Sequence, residues 1–527
     1  MRRKTVLAIV LVAMLAAACG GSGTTKETTA PGAPQPDTSA VINIAAPEDS
    51  WPAQGVGAAS TTFDYPFNTN VYEPLVSLGS DFSLKPGLAE SWETIPPNTT
   101  RFHLRKGVTF HDGSPFTADS VVYSWGERQQ AGKSNAGVVA TLGPDSVKKV
   151  DDFTVDYTPK VPNLRLPEQL VHPSGSIVPR GKDFDSNPPV GTGPWKVVSY
   201  TPGQSVVLDR NDSYWGPKPL AQRLNIRFLP DPQTRVEALK SGQVDFVVDL
   251  PPNATSTLEA NKAFKVVKSK PGRAFLIYIN KTDGRPGADQ AVRQAVALAI
   301  NTKDYVSVVF EGNAAPGRLM APDELLGDAN KQVAATPFDP KQAATVLDNA
   351  GWKAGSDGIR SKDGKRLTMK LLGQADTPAG SGEFVQAQLK AVGIEVQIVP
   401  TPDTPTRNTL YSSGKGDYDL DLEGPNQNDG NPAFLPVLRM YSKNANTAQF
   451  APGAAFDTLA EQSMAAATRA EVQNLSAQMQ KILINDTYIV VPLAGVFRIF
   501  GMSSKVNLGD PHPSNTNQTW FSLSKTK

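Results

Sequence analysis

The chain is poor in the residues that carry covalent and metal chemistry, with one cysteine and four histidines in 527 residues. One thiol cannot close an internal disulfide, build a thiolate zinc site or hold an iron–sulfur cluster. The histidines, His103, His111, His172 and His512, are scattered with no partner at ligand spacing, and each reads as a surface or turn residue. An excess of one charge is also missing. Lys+Arg 52 against Asp+Glu 51 leaves a formal +1, so no basic field exists to neutralise phosphates, and a nucleic-acid partner is excluded. The longest apolar run, residues 6–18, falls short of the roughly 20 residues that a membrane-spanning helix requires. No G-x-S-x-G elbow and no H-E-x-x-H occur. No catalytic residue, metal site or cofactor is expected.

What is present accounts for a large soluble body. A hydrophobic share of 39% with 20% charged residues supplies a sizeable core, and at roughly 150 residues per domain the length suggests about three domains or two large lobes. Arg2, Arg3 and Lys4 precede the apolar run, which ends Leu15-Ala16-Ala17-Ala18-Cys19. This pattern reads as a signal peptide, residues 1–18. The small residues before Cys19 resemble a bacterial lipobox, although Ala16 stands where that motif prefers Leu. Cys19 is then the lipidated N-terminus. Residues 19–40 are Gly-, Ser-, Thr- and Pro-rich and form a flexible tether. The mature protein is expected at the outer face of the cell membrane, held there by lipid.

From residue 41 onward the pattern is mixed α/β. Strand-like runs occur at 41–45, 101–105, 205–208, 224–228, 274–279, 367–372, 394–399 and 488–491. Asp231-Pro232 and Asp339-Pro340 each open a helix, with the Asp capping, the Pro at the first position and the stops at Gly242 and Gly351. Residues 288–300 have helical spacing, and Thr468 to Glu471 form a capping box. The run Asp417-Tyr418-Asp419-Leu420-Asp421-Leu422-Glu423 alternates, which predicts a half-buried strand with a solvated acidic face.

Several blocks, in order, resemble the family 5 solute-binding proteins of bacterial ABC importers, the oligopeptide, dipeptide and nickel type. They begin with Tyr72-Glu73-Pro74-Leu75-Val76 and Leu88-Ala89-Glu90-Ser91-Trp92, then run from Phe102 through His111-Asp112-Gly113 to Trp125. Gly191-Thr192-Gly193-Pro194-Trp195, Arg210 to Gly216, Ala238 to Asp245 and Val292 to Ile300 continue the series. The resemblance implies an α/β, two-lobed, periplasmic-binding-protein-like fold of type II with an inserted subdomain in the first lobe. Lobe I would comprise 41–75, 191–275 and 495–527, the inserted subdomain 76–190, and lobe II 276–494. The conspicuous His111–Pro115 turn and Trp92, Trp125, Trp195 and Trp215 read as architecture.

The resemblance implies capture of a solute, most simply a peptide, by closure of the two lobes, then delivery to permease subunits by a monomeric protein. In peptide-binding relatives the ligand's amino group pairs with an aspartate near an Asp-Pro dipeptide that follows an acidic strand. The matching stretch here is Gly424 to Pro432, where Asn428 occupies that aspartate's place and Asp429 lies one residue beyond. Asp429 and Asn428 are therefore the leading site residues. Glu48, Ser50 and Trp51 after the first strand, Tyr278 on a crossing strand, and Arg439, which could meet a carboxylate, complete the set. A buried ammonium needs an ionic or multiple hydrogen-bonding partner. So either Asp429 supplies it, or the solute is of another kind, such as an oligosaccharide, opine or metal chelate. A secreted hydrolase is the distant alternative.

Overall fold

The computed structural model describes residues 35–47, 69–128, 142–160, 163, 165–172, 175–182, 188–373, 377–401, 406, 410, 416–425, 427, 430–443, 449–514 and 519–527. All of these except Gln35 fall in one compact unit, Pro36–Lys527. Two open sheets dominate it. The first has seven strands in the spatial order Phe264–Lys268, Ile499–Ser503, Phe246–Val247, Val41–Ala46, Arg223–Phe228, Ser205–Arg210 and Trp195–Thr201. Alternation along Val41–Ala46 explains its two cores. Ile42, Ile44 and Ala46 join Leu224, Ile226, Phe246 and Phe500 on one face, and Ala45 turns to the other, under helix Pro232–Lys240.

The second sheet has six strands, ordered Ala314–Pro316, Val490–Val496, Arg273–Ile279, Leu420–Glu423, Thr368–Gly373 and Glu395–Val399. Phe275, Ile277, Ile279, Leu420, Leu422 and Leu371 line one face, against helices Gln290–Ala299, Pro340–Asn349 and Ser381–Lys390. Leu276, Tyr278 and Leu372 line the other, facing helix Arg469–Lys481. The helix signals act as the sequence indicates. Asp231 accepts from the Thr234 N–H at 2.7 Å and Asp339 from the Gln342 N–H at 2.8 Å, while Gly242 and Gly351 take positive φ past the ends. Thr468 caps the Glu471 N–H at 3.3 Å, and Glu471 reaches back to the Ala467 N–H at 3.2 Å.

A separate four-stranded antiparallel sheet, Ala89–Ile95, Thr99–Leu104, Thr154–Tyr157 and Val147–Asp151, lies within residues 76–190. The adjoining His111–Pro115 turn is built as its sequence suggests. Asp112 accepts from the Ser114 N–H at 3.0 Å, and Gly113 has φ +85°. His111 does more than turn the chain: its Nε2 lies 2.9 Å from the Gly193 carbonyl, and burial pushes its pKa down to about 4. His172 and His512 are buried, whereas His111 stands in its turn and His103 at the surface as expected, His103 lying 3.3 Å from Glu93. Glu73 ties distant blocks together by accepting from Thr192 at 2.8 Å, Tyr214 at 2.6 Å and Trp215 at 2.8 Å.

The two large sheets are joined by a ribbon of two chain segments. Phe264–Lys268 leads through 269–272 into Arg273–Ile279, and Val490–Val496 returns through 497–498 into Ile499–Ser503. The same two segments pair antiparallel on both sides of the crossing. Between them Ser269 N–H donates to the Arg498 carbonyl at 2.9 Å, Arg498 N–H to the Ser269 hydroxyl at 2.9 Å, and Gly272 N–H to the Val496 carbonyl at 3.2 Å. The positions 275/276 and 494/495, where the lobes were expected to divide, fall inside strands Arg273–Ile279 and Val490–Val496.

Candidate functional site

Loops at the carboxyl ends of parallel strands are where open α/β sheets usually hold ligands. In the six-stranded sheet, Leu420–Glu423 and Glu395–Val399 both run parallel to Thr368–Gly373. The loop leaving Glu423 comes out beside the ribbon: Arg273, first residue of a crossing strand, donates its Nε to the Gly424 carbonyl and lies 4.8 Å from the centre of the Phe275 ring.

The acidic strand does not present a solvated face. Asp419, Asp421 and Glu423 are 5%, 0% and 2% exposed. The physical reason is position: the strand is central in its sheet, between Arg273–Ile279 and Thr368–Gly373, and core layers pack on both faces of that sheet. Burial of carboxylates demands counter-charge and donors, and Asp419 and Glu423 have them. Asp419 accepts from the Lys370 N–H at 2.8 Å and pairs with Arg285 at 3.2 Å. Glu423 pairs with Arg439 of helix Phe434–Met440. Asp417, at the exposed end, is bonded by the Lys370 ammonium, which holds its carboxyl below the usual range. Tyr418 departs from the alternation too. It packs near Phe450, ring centres 6.5 Å apart, instead of following Leu420 and Leu422.

The far end of the loop is anchored as firmly. Asn431 accepts from Ala433 N–H through its side chain at 2.9 Å, and its carbonyl accepts from Phe434 N–H at 3.1 Å and from Gln427 Nε2 at 3.2 Å. Ser476 donates to the Pro432 carbonyl at 2.7 Å. By the ribbon, a cavity of about 200 Å³ is bounded by Arg273 and Gly495 on the crossing strands and by Arg318, Asp323 and Glu324 opposite. Arg318 is matched to Asp323 at 2.6 Å and Glu324 to Lys270 at 3.6 Å, while Arg273 turns to the Gly424 carbonyl.

Of the residues singled out from sequence, Tyr278 and Arg439 lie among the described residues, whereas Cys19, Glu48, Ser50, Trp51, Asn428 and Asp429 lie outside them. Tyr278 is fully covered, its ring 5.7 Å from that of Phe450, and offers no surface to a solute in this conformation. Arg439 does meet a carboxylate, but it is that of Glu423. Sequence reasoning passed over Arg273, whose signal is a cationic residue heading the crossing strand. It also treated Glu423 as one acid among four, missing that the strand end places it against a helix carrying Arg439. Among the described residues no group of three or more His, Cys, Asp or Glu side chains could hold a metal ion.

The model of "Bacterial extracellular solute-binding proteins, family 5 Middle" matches residues 83–447. The nickel-binding periplasmic protein of Escherichia coli is 28% identical over 68% of this chain and 72% of its own length. Di/tripeptide-binding protein 2 of Pseudomonas aeruginosa is 28% identical over 69% and 72%. Protein XP55 of Streptomyces lividans, 29% identical, is matched over 66% of its length. Among solved structures, NikA from Brucella suis in complex with Fe(III)-EDTA superposes with a TM-score of 0.81 at 26% identity, covering 92% of this chain and all of that one.

Proposed function

The chain belongs to the bacterial extracellular solute-binding proteins of family 5, and from that membership we propose that it captures a peptide between two lobes and passes it to the permease subunits of an ABC importer. Like its family it is a transport component and not an enzyme, and its fold is the two-lobed type II periplasmic-binding-protein fold. The observation that carries the reading is the ribbon at 269–272 and 497–498, tied across by Ser269 and Arg498. Two short segments joining two sheets can bend with little loss of packing, and a solute that touches both lobes shifts an open–closed equilibrium. Lobe I is taken as 41–75, 191–275 and 495–527, the inserted subdomain as 76–190 and lobe II as 276–494. Membership of the first sheet by strands on both sides of residues 76–190 supports that partition.

The peptide is favoured by the di/tripeptide-binding relative and by the loop Gly424 to Pro432, with Asp429 as the partner of the ligand's amino group and Asn428 as a neutral hydrogen-bonding neighbour. A metal chelate is the second reading, favoured by the likeness to the nickel-binding relative and to NikA. Native mass spectrometry of freshly purified protein should reveal the retained solute by mass. Calorimetry with a free peptide and its N-acetylated twin, run beside Fe(III)-EDTA, then separates the readings. Losing one partner of a buried charge pair typically costs about 2–5 kcal/mol, so Asp429→Asn should weaken the free peptide well over tenfold. Equal affinity for both peptides would refute amino-group recognition. Anchorage through lipidated Cys19, by a monomer at the outer face of the membrane, is part of the proposal, and Cys19→Ser should release the protein from washed membranes.

A further inference from the structure

The loop after Glu423 is gripped at one glycine from two directions. Gly430 N–H donates to the Glu168 carbonyl at 3.2 Å, and the Gly430 carbonyl accepts from Arg469 Nη1 at 2.8 Å. The fit is close, since a β-carbon there would come within 3.0 Å of Leu78 Cδ1 and 3.2 Å of Leu84 Cδ2 and both leucines would have to give way. Leu78, Leu84 and Glu168 come from the segment 76–190, whereas Gly430 and Arg469 belong to the body of the six-stranded sheet.

Charge closes the same junction. Glu168 is 4% exposed and burial pushes its carboxyl up, opposed by Arg165 and then by Arg469. Arg165 pairs with it at 3.1 Å, and its other terminal nitrogen crosses to the Ala467 carbonyl at 3.2 Å. One guanidinium from each body therefore faces one buried carboxylate, and each also donates to a backbone carbonyl of the six-stranded body. Opening the junction would pull Arg469 away from Glu168 and Arg165 away from Ala467 in one movement.

We propose that Arg165, Glu168 and Arg469 are positioning residues that latch Gly430 onto the segment 76–190, and so set the population of the closed form. The inference rests on capture by closure as proposed above. The latch is tested without any ligand. Solution scattering and amide hydrogen exchange are measured on wild-type protein, Arg165→Met, Arg469→Met, the double variant and Arg469→Lys. Each Met variant should enlarge the radius of gyration and speed exchange at Gly430 and Asn431 at least tenfold. The double variant should be little worse than either single, because one missing arm already frees the clasp. Arg469→Lys, which keeps a charge and a donor, should recover most of the wild-type protection. Wild-type scattering and exchange in both Met variants would overturn the latch, and so would a lower melting temperature with an unchanged scattering curve. Scattering of wild-type protein before and after its co-purified solute is stripped reports separately on capture. A null result there sinks that reading without deciding the behaviour of the variants.

Discussion

Replacing Arg439 by Met tests whether this arginine serves the fold or the solute. Glu423 is 2% exposed and its side chain 3%, so its carboxylate depends on the protein for solvation, whereas the Arg439 side chain is 22% exposed. Removing one partner of a buried pair typically costs about 3–5 kcal/mol, because the other charge stays behind without compensation. The partial exposure of Arg439 lets some water follow, which favours the lower end, about 3 kcal/mol. Removing both charges, in Arg439→Met with Glu423→Gln, should recover most of that loss, since a matched neutral pair carries no orphaned charge. A two-lobed chain need not unfold in one step. Native-state hydrogen exchange at residues 420–423 is therefore the better assay, because it reads the local free energy directly. If Arg439→Met costs under about 0.5 kcal/mol, or if the double variant is worse than the single, the pair is not the compensated buried bridge described here. The same variant separates two roles. A residue reserved for a solute carboxylate would lose binding with stability intact, and the structure predicts the reverse order.

Three further outcomes follow from buried groups and close contacts. His512 and His111 are held neutral by burial, with pKa values pushed down to about 4. The unfolded chain takes up their protons near pH 6.5, so each erodes stability by about 1.4 kcal/mol per pH unit as pH falls from about 6.5 to 4. Denaturation of His512→Gln across that range should show a slope shallower by one such increment, and an unchanged slope would refute a buried neutral imidazole. Glu73 acts with the opposite sign: burial pushes it up to about 7 against its three donors, so it costs stability as pH rises from about 4.5 to 7. Glu73→Gln should remove that decline, measured as the pH-dependent difference from wild type, and a parallel pair of curves would count against it. Gly272 has no space for a methyl, which would lie 1.8 Å from the Pro513 carbonyl oxygen. Gly272→Ala should cost more than about 2 kcal/mol and shift the ribbon, and a variant with wild-type stability and scattering would contradict the contact.

The parts of this fold that were readable in sequence are those written in local chemistry. Asp231, Asp339 and Thr468 cap the helices that their neighbours suggest, because capping needs only residues within one turn. Alternation likewise placed Leu420 and Leu422 on one core face. It failed for Asp419, Asp421 and Glu423, since period two tells which residues share a face but not whether another layer covers that face. The covering depends on partners far along the chain. Asp419 is reached by Arg285, 134 residues away, and the neighbouring strand Arg273–Ile279 lies as distant in sequence. Histidine burial was missed for the same reason: His512 is held in place by the Gly79 carbonyl at 2.9 Å, 433 residues distant in sequence.

That difference between local and distant chemistry bears on the site itself. Asn428 and Asp429 were singled out because a glycine-asparagine-proline sequence follows an acidic strand, and that argument is local. Asp419, Asp417 and Glu423 are paired with Arg285, Lys370 and Arg439, so the charge at the strand end is already met within the protein. What separates this loop from an ordinary connection is Gly430, pressed between Leu78, Leu84, the Glu168 backbone and Arg469. With Gly430 bonded to Glu168 of the segment 76–190 and Gly424 to Arg273 of the ribbon, the two described ends of the loop are tied to the elements that move in the proposed closure. Selectivity and motion should then be inseparable in this protein: a substitution at Arg273 or Arg469 that leaves every solute contact in place should still change affinity, through the fraction of molecules closed.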